Sequence, residues 1–170
     1  MNIYKNIAAV LVAGLLAVGC SNAGDSANTT TGTSATLAAE SATASAKPKV
    51  VMYKPPTCEC CTGWAAHLRK AGFSVDVKKF EDMNGIKTKF GVTEKLASCH
   101  TAIVDGYVIE GHVPVADVER LLKERPDIVG LTAPGMPMKS PGMQAAGLPP
   151  QGYAVLAFDR AGNSTIYHQY

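Results

Sequence analysis

The chain of 170 residues has no basic stripe, no aromatic residue between positions 21 and 46, and no apolar run long enough to span and stay in a bilayer. Its 16 Lys and Arg are balanced by 14 Asp and Glu, a formal net charge of +2. Without a clustered positive face, nucleic acid is not expected as a partner. Residues 21–46 contain one Leu and two charges. Such a segment cannot bury enough apolar surface to offset its ordering entropy, so it reads as a flexible tether. The apolar run from Ile7 to Gly19 follows the single early charge, Lys5, and ends in small residues, the pattern of a secretory signal.

The end of that run, "LLAVGC", resembles the lipobox of bacterial lipoproteins. The resemblance implies a lipoprotein signal peptide over 1–19, lipid attachment at Cys20, and a lipid-anchored tether over 20–46. The mature chain would then sit in the cell envelope, on the periplasmic side, held to a membrane rather than spanning it. The alternative is an ordinary cleaved signal that leaves Cys20 as a lone thiol, a liability in an exported protein. Loss of Lys5 with the signal leaves 15 basic and 14 acidic residues. Residues 47–170 are one domain's worth of chain, enough for a single modest core. An exported domain meets an oxidising compartment in Gram-negative cells, so cysteines kept there as thiolates need a reason.

The folded part predicts an α/β domain. "KVVMYK" (49–54) is a short β-branched run stopped by Pro55 and Pro56. Trp64, Leu68 and Ala71 follow as the apolar stripe of a helix that Gly72 ends. "FSVDVKKF" (73–80) alternates as a strand does, and Asp82 caps a helix carrying Met83, Ile86 and Phe90 and closed by Gly91. "TAIVDGYVIEG" (101–111) is a hairpin about Asp105-Gly106. Pro114 opens a helix with Val115, Val118, Leu121 and Leu122 on one side, and Pro126 stops it. A Gly/Pro/Met loop over 130–150 leads to a closing hairpin, "YAVLAFD" and "STIYHQY", around Arg160 to Asn163. The order β-α-β-α-β-β-α is that of the thioredoxin fold, with the C-terminal loop and hairpin as an extension.

That order places "PPTCECCTGW" (55–64) at the N-terminus of the first helix, where unpaired N–H groups and a partial positive charge favour an anion. A thiolate there has a lowered pKa, and thiolates serve both disulfide exchange and soft metals. Cys58 and Cys61 have C-x-x-C spacing, but Cys60 lies inside the pair. Three thiols cannot all pair with one another, and a vicinal Cys60–Cys61 disulfide would be strained. Cu(I) removes the difficulty, because two or three sulfurs satisfy one ion and a sulfur can bridge two.

"ASCHTA" (97–102) supplies Cys99 beside His100 at the start of the third strand. Thioredoxin-like folds usually carry a cis-proline in this loop; a thiol and an imidazole here shift the reading toward metal. "PGMPMKSPGM" (134–143) adds Met136, Met138 and Met143, whose thioethers are soft, neutral ligands; they equally suit the role of caps on the core. Met136 and Met143 each follow Gly and rank above Met138. His112, just past the hairpin, can reach the same end of the sheet, while His67 reads as a rim residue and His168 as exposed. Zinc is the competing metal, since four cysteines or three with a histidine close a tetrahedral site. Its ligands usually come from two separated knuckles, whereas three cysteines here crowd one turn.

Taken together, "YKPPTCECCTGW", "FGV", "SCHTAIVDGYVIEGHVP" and "GLTAPGMPMKSPGM" closely resemble the CopG-like family of bacterial copper-resistance proteins. That family is distinct from the small DNA-binding repressors sharing the name. The resemblance covers residues 50–170. It implies a thioredoxin-like domain that binds copper in the cell envelope and acts beside copper efflux or chaperone proteins. By position, Cys58, Cys60, Cys61 and Cys99 match the family's cysteines, His100 and His112 its histidines, and Met136 and Met143 the methionines of its loop. The expected function is to sequester or handle Cu(I), with Cu(I)/Cu(II) cycling compatible. The alternative is a thiol-disulfide oxidoreductase using Cys58 and Cys61.

Overall fold

The computed structural model describes residues 46–170, so the signal segment, Cys20 and nearly all of the tether lie outside the described residues. The domain is a mixed α/β structure: a seven-stranded sheet in the order β2-β1-β3-β4-β5-β6-β7, with three helices. β1 (Val50–Lys54) runs into α1 (Glu59–Lys70), and the chain returns as β2 (Val75–Lys79), parallel to β1. After α2 (Met83–Lys89) and a short 3-10 turn (Glu94–Leu96), β3 (Thr101–Val104) lies antiparallel to β1 on its other side. β4 (Tyr107–Gly111) pairs antiparallel with β3, and α3 (Val115–Glu124) crosses to β5 (Gly130–Ala133), parallel to β4. β6 (Ala154–Phe158) and β7 (Ser164–Gln169) complete the sheet as antiparallel neighbours. Among the described residues no helix is long and apolar enough to cross a membrane.

Local chemistry accounts for most of these boundaries. Trp64, Ala65 and Leu68 are fully buried along one side of α1, packed on Val50 and Met52 of β1. Asp82 accepts a hydrogen bond from the Gly85 backbone N–H at 3.0 Å, capping α2. The turn between β3 and β4 holds both Asp105 and Gly106 at positive φ, the backbone twist that a two-residue hairpin requires. α3 buries Val118 and Leu121 and ends at Arg125 in the left-handed conformation, ahead of Pro126. In the last hairpin the Asp159 carboxylate accepts from the backbone N–H groups of Ala161 and Asn163, both at 2.9 Å.

Two features depart from the reading of the sequence. The stretch 130–150 is not loop throughout, because Gly130–Ala133 forms β5 inside the sheet. All four of its residues are buried, so it carries no alternation by which a strand is recognised. The second is Lys87 of α2, a residue the sequence did not single out, which is only 8% exposed. Its ammonium reaches the fully buried Glu110 of β4 at 2.5 Å. Glu110 also accepts from the Ser98 backbone N–H and the Thr101 hydroxyl, each at 2.6 Å.

Truncating one partner of such a pair leaves an uncompensated buried charge. Lys87→Met is expected to lower stability by about 3–5 kcal/mol, and Lys87→Met with Glu110→Leu to recover much of the loss. Chemical denaturation of the single and double variants measures both.

Candidate metal centre

The chain leaves β1 at Lys54, turns through Pro55 and Pro56, and enters α1 with Cys58 at the N-cap. Cys58 makes no side-chain cap, so its sulfur is free to face its neighbours rather than the helix backbone. Its carbonyl accepts instead from the buried Lys54 ammonium at 2.8 Å, which pins the start of the helix to the end of β1. Cys58 and Cys61 are joined as a disulfide, with their Cα atoms 5.5 Å apart, inside the range that such a bond needs. Cys60 is left as a thiol, its sulfur 3.5 Å from that of Cys58.

The loop before β3 brings the second half of the site. Glu110, lying beneath this loop, holds the Ser98 N–H, and the Ser98 hydroxyl donates to the Gly135 carbonyl. Cys99 then points its sulfur to within 3.4 Å of His100 Nδ1 and 3.0 Å of His112 Nε2. His112 arrives there because β4 ends in Gly111 at φ +70°, which turns the chain inward. A Cβ at Gly111 would come within 2.3 Å of the Ser98 hydroxyl and 2.8 Å of the Ala133 carbonyl, so only glycine fits.

A third segment, after β5, closes over the first two. Gly142, at φ +89°, lies against α1 so closely that a Cβ would come within 2.6 Å of the Cys60 carbonyl and the Trp64 backbone nitrogen. This contact puts the Pro141 carbonyl 2.7 Å from His112 Nδ1. A carbonyl only accepts, so Nδ1 carries the proton and Nε2 presents its lone pair to Cys99. The Trp64 indole lies against the His100 ring, with centroids 4.4 Å apart, and donates to the Val113 carbonyl at 2.8 Å. His100 Nε2 is buried with no hydrogen-bond partner among the described residues.

Burial sets the protonation states. It holds the His100 imidazole well below its usual range, with the neighbouring His112 ring and the Lys87 and Lys54 ammoniums adding to the effect. Burial also lowers His112, against the opposing hydrogen bond to Pro141. Both are therefore neutral imidazoles, the form that ligates metal. The same burial, reinforced by Cys60, pushes the Cys99 thiol up to about 12. In the metal-free site Cys99 is a thiol that donates to His112 Nε2, and a bound cation would displace its proton.

The residues form two overlapping donor sets. Ligand atoms of Cys58, Cys60, Cys61 and Cys99 lie within 4.8 Å of one another, as do those of Cys61, Cys99, His100 and His112. The first is all sulfur and the second mixed, and they share Cys61 and Cys99. With a buried imidazole nitrogen left unpaired beside them, these donors fit a soft cation. Met143 is half-buried, next to Gly142, whereas Met136 and Met138 are 57% and 72% exposed on the loop. His67 stands half-buried on α1. His168 is bonded through Nδ1 to the buried Asp117 carboxylate at 2.8 Å, which ties β7 to α3. Reading the sequence missed Lys54, Glu110 and the Pro141 carbonyl. Only Glu110 left a trace there, as a lone carboxylate amid an otherwise apolar strand.

An α/β domain with interlocking sulfur and imidazole donors at a helix N-terminus is, by class, a metal-binding protein. Comparison with known proteins narrows this. Residues 96–143 match the family described as "Protein of unknown function, DUF411". Two solved structures, both titled copper resistance protein copG and designated form 1 and form 2, superpose with a TM-score of 0.67 at 37% sequence identity. Each alignment covers 73% of this chain and 98% of the other. No curated protein sequence matches the chain. The chain belongs to the CopG-like copper-resistance family.

The neutral histidines make metal-free stability depend on pH with a definite sign. Unfolded, His100 and His112 take up protons below about pH 6.5, whereas folded they resist. Stability is therefore fully present above that pH and falls below it, by at most about 1.4 kcal/mol per unit for each histidine. Denaturant midpoints of the metal-free domain at pH 7.5 and pH 5.5 measure the slope, and His112→Gln is expected to make it shallower.

Proposed function

We propose that the domain binds Cu(I) through Cys58, Cys60, Cys61 and Cys99 in its reduced form, and sequesters or handles the ion in copper resistance. The observation that carries this reading is the clustering of four sulfurs within 4.8 Å of one another, three from one helical turn and one from the facing loop. Reduction of the Cys58–Cys61 disulfide supplies the full set. His100 and His112 complete the shell from the buried side, and Met143 stands at its rim. The exposed thioethers of Met136 and Met138 are first contacts for an incoming ion. Crowded, bridging thiolates suit Cu(I) better than the closed tetrahedron that zinc prefers. Cycling between Cu(I) and Cu(II) is compatible with the mixed second set.

The family supplies the setting. Both solved relatives are titled copper resistance proteins. The thioredoxin-like arrangement is supported by the β1-α1-β2 and β3-β4-α3 units, with the cysteines at the start of α1 and with β5 to β7 as an addition. A lipid anchor at Cys20 and a position on the periplasmic side of the envelope would place the domain beside copper efflux or chaperone proteins.

Anaerobic titration of the reduced chain with Cu(I), against a competing chromophoric chelator, is expected to show tight uptake. Cys60→Ser should weaken it by more than the roughly 10- to 100-fold that loss of an outer-shell partner costs. Unchanged affinity in Cys60→Ser would refute the site.

The disulfide favours one second reading, a thiol-disulfide oxidoreductase using Cys58 and Cys61. Insulin reduction by the metal-free chain separates the two. Turnover that persists in Cys60→Ser and is lost in Cys58→Ser belongs to the exchanger.

A further inference from the structure

Among the described residues two lysines are buried, and they are held in opposite ways. Lys87, 8% exposed, ends on the Glu110 carboxylate at 2.5 Å. Lys54, at the end of β1 and 3% exposed, has no carboxylate within ion-pair distance among those residues. Its ammonium ends on main-chain carbonyls alone, that of Cys58 at 2.8 Å and that of Pro56 at 3.5 Å. A buried ammonium whose partners are only neutral dipoles is costly. This one also stands at the edge of a centre suited to a cation, which it repels. An anionic loaded centre offsets both effects. At one ion per chain, four thiolates exceed the charge of Cu(I) by three and that of Zn(II) by two.

We infer that Lys54 is the counter-charge of the loaded thiolate cluster and that its charge helps the centre to prefer a monovalent over a divalent ion. The inference rests on the copper reading above. Lys54 attracts the thiolates alike whichever ion they hold, but it repels a divalent ion twice as strongly as Cu(I). Its charge therefore separates Cu(I) from Zn(II) in addition to the softness of the sulfurs, which acts through the ligands themselves. The hydrogen bond from Lys54 to the Cys58 carbonyl is a different contribution. It steadies the start of α1, and its loss weakens the hold on every metal alike.

The test titrates the reduced full chain, kept anaerobic, with Cu(I) and separately with Zn(II), each against a chromophoric chelator and up to one ion per chain. Lys54→Gln keeps a hydrogen-bond donor and removes the charge. In this variant both affinities should fall, that for Cu(I) about tenfold further than that for Zn(II). An equal fall for the two ions, or no fall, overturns the inference and leaves Lys54 as a support of α1 alone. A second measurement uses the unaltered chain with its lysines labelled with nitrogen-15. The Lys54 ammonium resonance should shift on the first equivalent of Cu(I), while that of Lys87, paired with Glu110, stays in place. A Lys54 signal that does not move overturns the inference even where the variant misfolds. Absence of Cu(I) uptake by the unaltered chain instead overturns the copper reading.

Discussion

The Glu110 carboxylate is the constraint from which the rest of the centre follows. It is fully buried and accepts from Lys87 on α2, Thr101 at the start of β3, and the Ser98 backbone N–H in the loop between them. Burial alone raises its pKa, and these three donors are what oppose the shift. A carboxylate in such a place is costly unless every lone pair is used, so the three segments must meet there together. Once they do, the loop carrying Cys99 and His100 has little freedom left. The site is held from below by an ion pair that touches none of its donors.

What the loop meets is set by close backbone approach. Gly111 turns His112 inward, and Gly142 lets the segment after β5 settle on α1 beside Cys60. That second contact brings the Pro141 carbonyl onto His112 and fixes which imidazole nitrogen faces Cys99. Orientation of a ligand by its outer partner is a general feature of metal sites, and here the partner is main chain. The outcome is a cluster of buried, neutral imidazoles beside a half-buried protonated thiol, an environment in which a cation gains ligands by expelling protons.

Much of the fold was legible because its signals are local. The stripe of Trp64 and Leu68, the Asp82 cap, the Asp105-Gly106 turn and the stop at Pro126 each rest on a few neighbouring residues, and each stands where the pattern put it. β5 was hidden because burial on all sides erases alternation, and Lys87 because an amphipathic helix gives no sign that one of its cations turns inward. The methionines carry soft-ligand chemistry that is plain in the sequence, and the structure places Met136 and Met138 in solvent and Met143 half-buried beside Gly142.

The sequence by itself determined the kind of chemistry: three cysteines on one helical turn, a fourth beside a histidine, and a count that leaves a thiol over. Residue type fixes softness, and spacing along one turn fixes which sulfurs can join. Tertiary structure decided the membership of the centre. The distances among Cys60, Cys99, His112 and Pro141 depend on how β1, β3, β4 and β5 register in the sheet and on two glycine contacts, and long-range packing of that kind leaves no periodic trace in the chain.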